Sequence, residues 1–241
     1  MKTGYIHSIE TLGTVDNGGI RFVLFLQGCA LHCRFCHNPD TWLKRGKQVT
    51  VTEILDQLKD YKPFFELSGG GLTVSGGEPL LQPGFVRELF IEAGKLGIDR
   101  ALDTSGFCRH GNIQTVLPYT DLVMFSIKVV DEEKHRKLTD RGNAEILENL
   151  QLAVNSAAKL VICYVLIPTL NDSFTDAQDL SRLVKSFSRE VPVQVLPYHK
   201  MGTIKWRQMG LSDPLDAISP ATPAEVQSFQ DHLGTAGIQI Y

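Results

Sequence analysis

Three cysteines within eight residues carry the most specific chemistry in this chain. Cys29, Cys33 and Cys36 lie in GCALHCRFCHNPDTW, residues 28–42, directly after the apolar run IRFVLFLQ. Thiolates hold soft metals, and three of them in one loop can each take one iron of a cubane iron–sulfur cluster, leaving the fourth iron without a protein ligand. An open iron is a place for a small chelating molecule. Zinc competes for the same residues, because Cys33 and Cys36 have CxxC spacing and His32 or His37 adds nitrogen. A structural zinc site, however, brings its second ligand pair from further along the chain, and Cys108 and Cys163 stand apart. A third alternative, thiols merely packed in a core, gives no reason for the crowding. With five cysteines in all, an odd number, a disulfide framework is disfavoured and a reducing, low-oxygen compartment is expected.

Such a loop needs elements that hold it. Apolar runs followed by turn signals predict six strands, at 20–27, 72–77, 99–106, 121–128, 159–168 and 193–198. Helical spacing fills the gaps. Thr50 and Glu53 form a capping box ahead of Val51, Ile54, Leu55 and Leu58, and Phe85, Val86, Leu89, Ala93 and Leu96 mark a helix stopped by Gly97. Further stripes run through Ile146, Leu150 and Val154, through Ala177, Leu180, Val184 and Phe187, and, after Thr222, Pro223 and Glu225, through Val226, Phe229 and Leu233. Met201 to Pro220 reads as a loop with one helical turn. Mostly apolar strands alternating with helices predict parallel β/α units. The units are too few for an eight-fold barrel, so the expected fold is α/β, a partial (β/α)6 open barrel, in preference to a flat doubly wound sheet. Residues 1–241 are read as one domain.

Composition excludes several classes. With 43% hydrophobic and 21% charged residues the chain can build a core under an ordinary surface. A formal charge of -3 and the lack of any Lys/Arg run speak against nucleic acid. The start has no apolar signal region, and Phe22 to Leu26 is too short to span a membrane, so a cytoplasmic protein is expected. No exposed apolar helix face is evident, which makes a monomer the expectation.

In parallel β/α folds ligands gather at the carboxyl ends of the strands. Gly76, Gly77 and Glu78 follow the second strand, Asp103 and Thr104 the third, Lys128 the fourth and His199 the sixth, so they converge with the cysteine loop at one mouth. Each has an ordinary alternative: a strand-to-helix turn for the glycines, a helix cap for Asp103 and Thr104, a solvated side chain for Lys128, a structural imidazole for His199. Gly69-Gly70-Gly71 lacks the Gly-Lys-Ser/Thr of a phosphate loop.

The spacing Cx3CxxC with Phe35 before the last cysteine resembles the signature of the radical S-adenosylmethionine (SAM) superfamily. That resemblance implies a [4Fe-4S] cluster on Cys29, Cys33 and Cys36 whose open iron chelates SAM, and one-electron cleavage of SAM to methionine and a 5'-deoxyadenosyl radical. IHSIETLGTVDNGGIRFVLFLQGC, CHNPDTW, SGGEPLLQ, LDTSGF and LPYHKMGTIKW, in that order, further resemble the pyruvate formate-lyase activating family, from Gly4 to about Gly210. The family implies hydrogen abstraction from a backbone glycine of a glycyl radical enzyme, most simply pyruvate formate-lyase, with a flavodoxin or ferredoxin-type reductant. It assigns Phe35, Asn38, Gly76, Gly77, Glu78, Asp103, Thr104, Lys128 and His199 to cofactor binding, and Asp103, Thr104 and Met124 to a monovalent cation beside SAM. His37 is a second-tier position, and Asp16 is placed against the glycine loop of the partner. This chain departs from the pattern at Asn17-Gly18, at Ser126, where an aspartate is expected, and at Cys163, where an arginine is expected. The alternatives are an activator of another glycyl radical enzyme, a radical enzyme acting on a small molecule, and an iron–sulfur electron carrier.

Overall fold

The computed structural model describes residues 2–14, 19–43 and 45–241. Its strands are β1 (Thr3–Gly13), β2 (Arg21–Leu26), β3 (Lys47–Thr50), β4 (Gly71–Gly76), β5 (Asp99–Thr104), β6 (Leu122–Ser126), β7 (Lys159–Leu166) and β8 (Val193–Pro197). The helices are α1 (Val51–Ser68), α2 (Pro83–Lys95), α3 (His110–Val116), α4 (Glu132–Thr139), α5 (Ala144–Val154), α6 (Phe174–Lys185), α7 (Thr203–Gln208) and α8 (Pro223–Thr235). One sheet takes the order β3-β1-β2-β4-β5-β6-β7-β8.

From β2 onward every neighbour is parallel and the order never reverses. A doubly wound sheet reverses at a switch point. Successive right-handed crossovers in one direction instead put the helices on one face and curl the sheet around the other. The two ends of the order, β3 and β8, are not paired with each other, so the barrel is open, as expected. The six strands expected from the sequence are these parallel ones. The edge formed by β1 and β3, both antiparallel to their neighbours, was not expected. Neither strand carries a run of bulky apolar residues: β1 alternates around a single large buried side chain, Ile6, and β3 buries only Val49.

The period of two along the strands divides the interior. Leu102, Val123, Phe125, Ile162 and Tyr164 belong to the large core beneath the helices. Ala101, Met124, Val161 and Cys163 form a small separate cluster. Alternation thus sends Asp103 and Ser126 to the same concave face as this second cluster, one step nearer the carboxyl mouth. The expected capping box at Thr50–Glu53 forms, Thr222 caps α8 through a box with Glu225, and Ser173 with Asp176 makes a third at the start of α6.

Candidate active site

The cysteine loop is pinned from three sides. At its base Gly28 N donates to Thr41 O at 2.7 Å and Cys29 N to Trp42 O at 3.2 Å. In its middle His32 N and Arg34 N donate to Thr139 O and Leu138 O at 3.1 and 2.9 Å, the last carbonyls of α4. At its far end Trp206 Nε1, from α7, donates to Cys36 O at 2.9 Å. A Cys36 N to Cys33 O bond of 3.0 Å closes the turn between the last two thiols.

The three thiols face one cavity of about 300 Å³. Its apolar lining is Phe25, Leu31, Phe35 and Val165; its polar lining comes from the carboxyl ends of three strands, Ser75, Gly76 and Gly77 at β4, Asp103, Thr104 and Ser105 at β5, and Ser126 and Lys128 at β6. Asn38, His37, Thr41 and Trp42 close the loop side. Burial pushes the thiols up: Cys33 to about 12, with Lys128 opposing, and Cys29 further, where Cys33 and Glu78 add repulsion. Cys36 is also raised by burial. The three thiols therefore stay neutral until a metal replaces their protons.

Among the described residues, no three His, Cys, Asp or Glu side chains converge enough to hold a single metal ion. A single zinc ion needs all its ligands within about 2.3 Å of one point. A cubane distributes its irons, one thiolate to each. Three half-buried thiols of one loop, facing a shared cavity without a fourth cysteine on its wall, fit that group.

The other expected residues divide into two sets. Phe35, Asn38, Gly76, Gly77, Asp103, Thr104 and Lys128 line the cavity. Lys128 Nζ lies over the Phe35 ring, 5.7 Å from its centroid. Asn38 Oδ1 accepts from Lys205 Nζ at 2.6 Å. Asp103 Oδ2 accepts from Ser75 Oγ at 2.6 Å; burial pushes its carboxyl up, against that bond and the charge of Lys128.

Glu78, Met124 and His199 are outside the lining. Glu78 is 1% exposed and accepts from Leu80 N (3.0 Å), Thr104 Oγ1 (2.6 Å), Ser105 N (2.9 Å) and Ser105 Oγ (2.6 Å). Its oxygens are spent on joining the β4 end to the β5 end. Met124 is packed in the small concave cluster. His199 stacks on His37, ring centroids 4.2 Å apart, and accepts at its backbone oxygen from His37 Nε2 at 3.0 Å, so it meets the cavity through His37. Burial lowers the His37 pKa.

The two cavity glycines also have a steric role. A Cβ on Gly76 would lie 2.2 Å from Leu26 N and one on Gly77 2.2 Å from Gly28 O. Only glycine lets the β4 end lie against the root of the cysteine loop, where Gly77 N and Glu78 N donate to Leu26 O and Gly28 O. Cys163 sits in β7 with its sulfur 3.7 Å from Gln194 Oε1 and takes no part in the lining. Asp16, with Asn17 and Gly18, lies outside the described residues. Ser75, Ser105, Thr41 and Trp42 were not singled out from sequence. Serine and threonine at strand ends carry no signal there without the topology, although Trp42 stands inside the quoted cysteine stretch.

A singly wound open barrel with a three-thiol loop at its carboxyl mouth is the architecture of an enzyme that places a metallocluster beside an organic ligand. Comparison gives the family. Residues 23–180 match the model of the radical SAM superfamily. Over 98% of both chains, this chain is 40% identical to a pyruvate formate-lyase-activating enzyme of Staphylococcus epidermidis; one of Staphylococcus aureus is 37% identical over the same share. Among solved structures, a domain of a pyruvate-formate lyase-activating enzyme from Bacteroides vulgatus superposes with a TM-score of 0.60 at 25% identity, covering 71% of this chain and 98% of that one. A radical SAM methyltransferase from Sphaerobacter thermophilus shares the fold, with a TM-score of 0.68 at 17% identity over 92% of this chain and 65% of its own. The chain belongs to the radical SAM superfamily and, within it, to the pyruvate formate-lyase-activating enzymes.

Proposed function

We propose that this chain activates a glycyl radical enzyme, pyruvate formate-lyase, by taking a hydrogen atom from a backbone glycine. The observation that carries the reading is the meeting of Cys29, Cys33 and Cys36 with the polar ends of β4, β5 and β6 in one cavity. Cys29, Cys33 and Cys36 would hold a [4Fe-4S] cluster, and with it bound the site would have a low-potential electron to give to the sulfonium of SAM.

The protein's share is binding, orientation and exclusion of water. Ser75, Ser105 and Asn38 offer neutral hydrogen-bonding groups, and Lys128 a positive charge, to the amino-acid and ribose groups of SAM. Phe35, Leu31 and Val165 keep the cavity dry, which a carbon radical requires. Glu78 and His199 are positioning residues, Glu78 for Thr104 and Ser105, His199 for His37. For a monovalent cation, Asp103 brings the charge; Thr104 Oγ1 is already donating to Glu78 and Ser126 is uncharged. The reading takes the chain as one domain, with a flavodoxin or ferredoxin-type protein as electron donor. Among the described residues no helix is long and apolar enough to cross a membrane.

The test is anaerobic. Reconstituted, reduced protein with SAM and pyruvate formate-lyase should release 5'-deoxyadenosine and build a glycyl radical visible by electron paramagnetic resonance. Release of 5'-deoxyadenosine without a glycyl radical would transfer the activity to another substrate; no release at all would leave an electron carrier.

A further inference from the structure

Trp42 is tied to both ends of the cysteine loop. Its backbone oxygen accepts from Cys29 N at 3.2 Å, and its ring meets Trp206 edge-on at 5.2 Å between centroids, while Trp206 Nε1 donates to Cys36 O at 2.9 Å. Its other face lies against His32, 4.6 Å between ring centroids. The indole is thus held on two sides and lines the cavity wall beside Cys36.

Its Nε1–H is buried and has no partner at full hydrogen-bond distance. Leaving a buried donor unpaired costs on the order of 1–3 kcal/mol, so such a group in a well-packed site points to an acceptor of the working protein. Cys36 lines the same cavity as the indole, and its sulfur is the acceptor that this N–H addresses. A neutral thiol is a weak acceptor, whereas a thiolate bound to iron is a strong one.

We propose that the Trp42 indole N–H donates a hydrogen bond to the Cys36 thiolate of the loaded cluster and raises its reduction potential. The inference rests on the cluster reading above. Reduction adds negative charge to the cluster, and a donor at a ligand sulfur stabilises that added charge. Trp42 is a positioning and tuning residue and touches no reacting carbon.

The experiment is a redox titration of wild-type and Trp42→Phe holoprotein without SAM, with iron content measured alongside. Phenylalanine keeps an aromatic ring and removes the donor. At a solution potential equal to the wild-type midpoint, the ratio of reduced to oxidised cluster should fall three- to tenfold, the tenfold case being a downward shift of about 59 mV. Trp206→Phe, which loses only a bond to a backbone oxygen, should move the ratio less than twofold. An unchanged or raised midpoint in Trp42→Phe at full iron content would overturn the proposal. Should Trp42→Phe fail to load, wild-type protein with 15N-labelled indole decides. Pulsed paramagnetic resonance of its reduced cluster should then detect a coupled nitrogen that persists in Trp206→Phe, and its absence would overturn the proposal. Absence of any cubane in the wild type would instead contradict the cluster reading itself.

Discussion

Glu78 shows how much a single side chain carries here. Its carboxylate, without appreciable exposure, takes four hydrogen bonds that lock the ends of β4 and β5 together. Glu78→Ala strands four donors, two of them buried and two half-buried, and is expected to destabilise the protein by about 3 kcal/mol, a fall in Tm of roughly 10 °C by calorimetry. Glu78→Gln, which keeps the volume and one acceptor oxygen, should cost less. Cys108 gives a pH signature. Burial first, then Glu78 and Glu145, pushes its thiol up from 9.0 to about 12, so the folded state prefers the neutral form. That preference contributes fully below pH 9.0 and is lost as pH rises towards about 12. Melting curves from pH 8 to 11 should fall more gently for Cys108→Ala than for wild type; parallel curves would refute the assignment. At this scale the cysteine spacing was legible because the chemistry needs the residues themselves, close together in sequence. The direction in which Glu78 and His199 point was not, since it depends on partners 27 and 162 residues away, Ser105 for one and His37 for the other.

Among the elements, the parallel strands announced themselves through continuous apolar runs, as strands buried on both faces do. The short polar pieces did not. α4, EEKHRKLT, is charged almost throughout, yet its last carbonyls hold the middle of the cysteine loop. β1 and β3 lack the apolar density that marks a strand and are held by pairing. The β4 turn shows the same dependence on neighbours: Gly77 is needed for the approach of Gly28 O, a long-range contact. Gly77→Ala should push the cysteine loop off the β4 end and reduce iron bound after reconstitution several-fold, while circular dichroism remains that of a folded protein. Full iron loading in that variant would contradict the steric argument.

Across the whole molecule, the sheet is closed off at the β8 edge by the C-terminal segment. Phe229 of α8 stacks on Tyr164, 5.2 Å between centroids, and Val193 exchanges backbone bonds with Gln239 and Tyr241. Truncation after Pro220 removes Phe229 and Leu233 from the core and should cost more than about 5 kcal/mol, seen as loss of the folded baseline or a large fall in Tm. If the chain is one cooperative unit, secondary structure and cluster absorbance will be lost together on denaturation. The open mouth that this architecture leaves beside three thiolates is the central claim, because an iron without a protein ligand must be able to take a ligand from solution. The direct test is the electron paramagnetic resonance spectrum of the reduced holoprotein before and after SAM is added, with no partner present. Its g-values should move as SAM enters the coordination of one iron; an unchanged spectrum at saturating SAM would contradict the account.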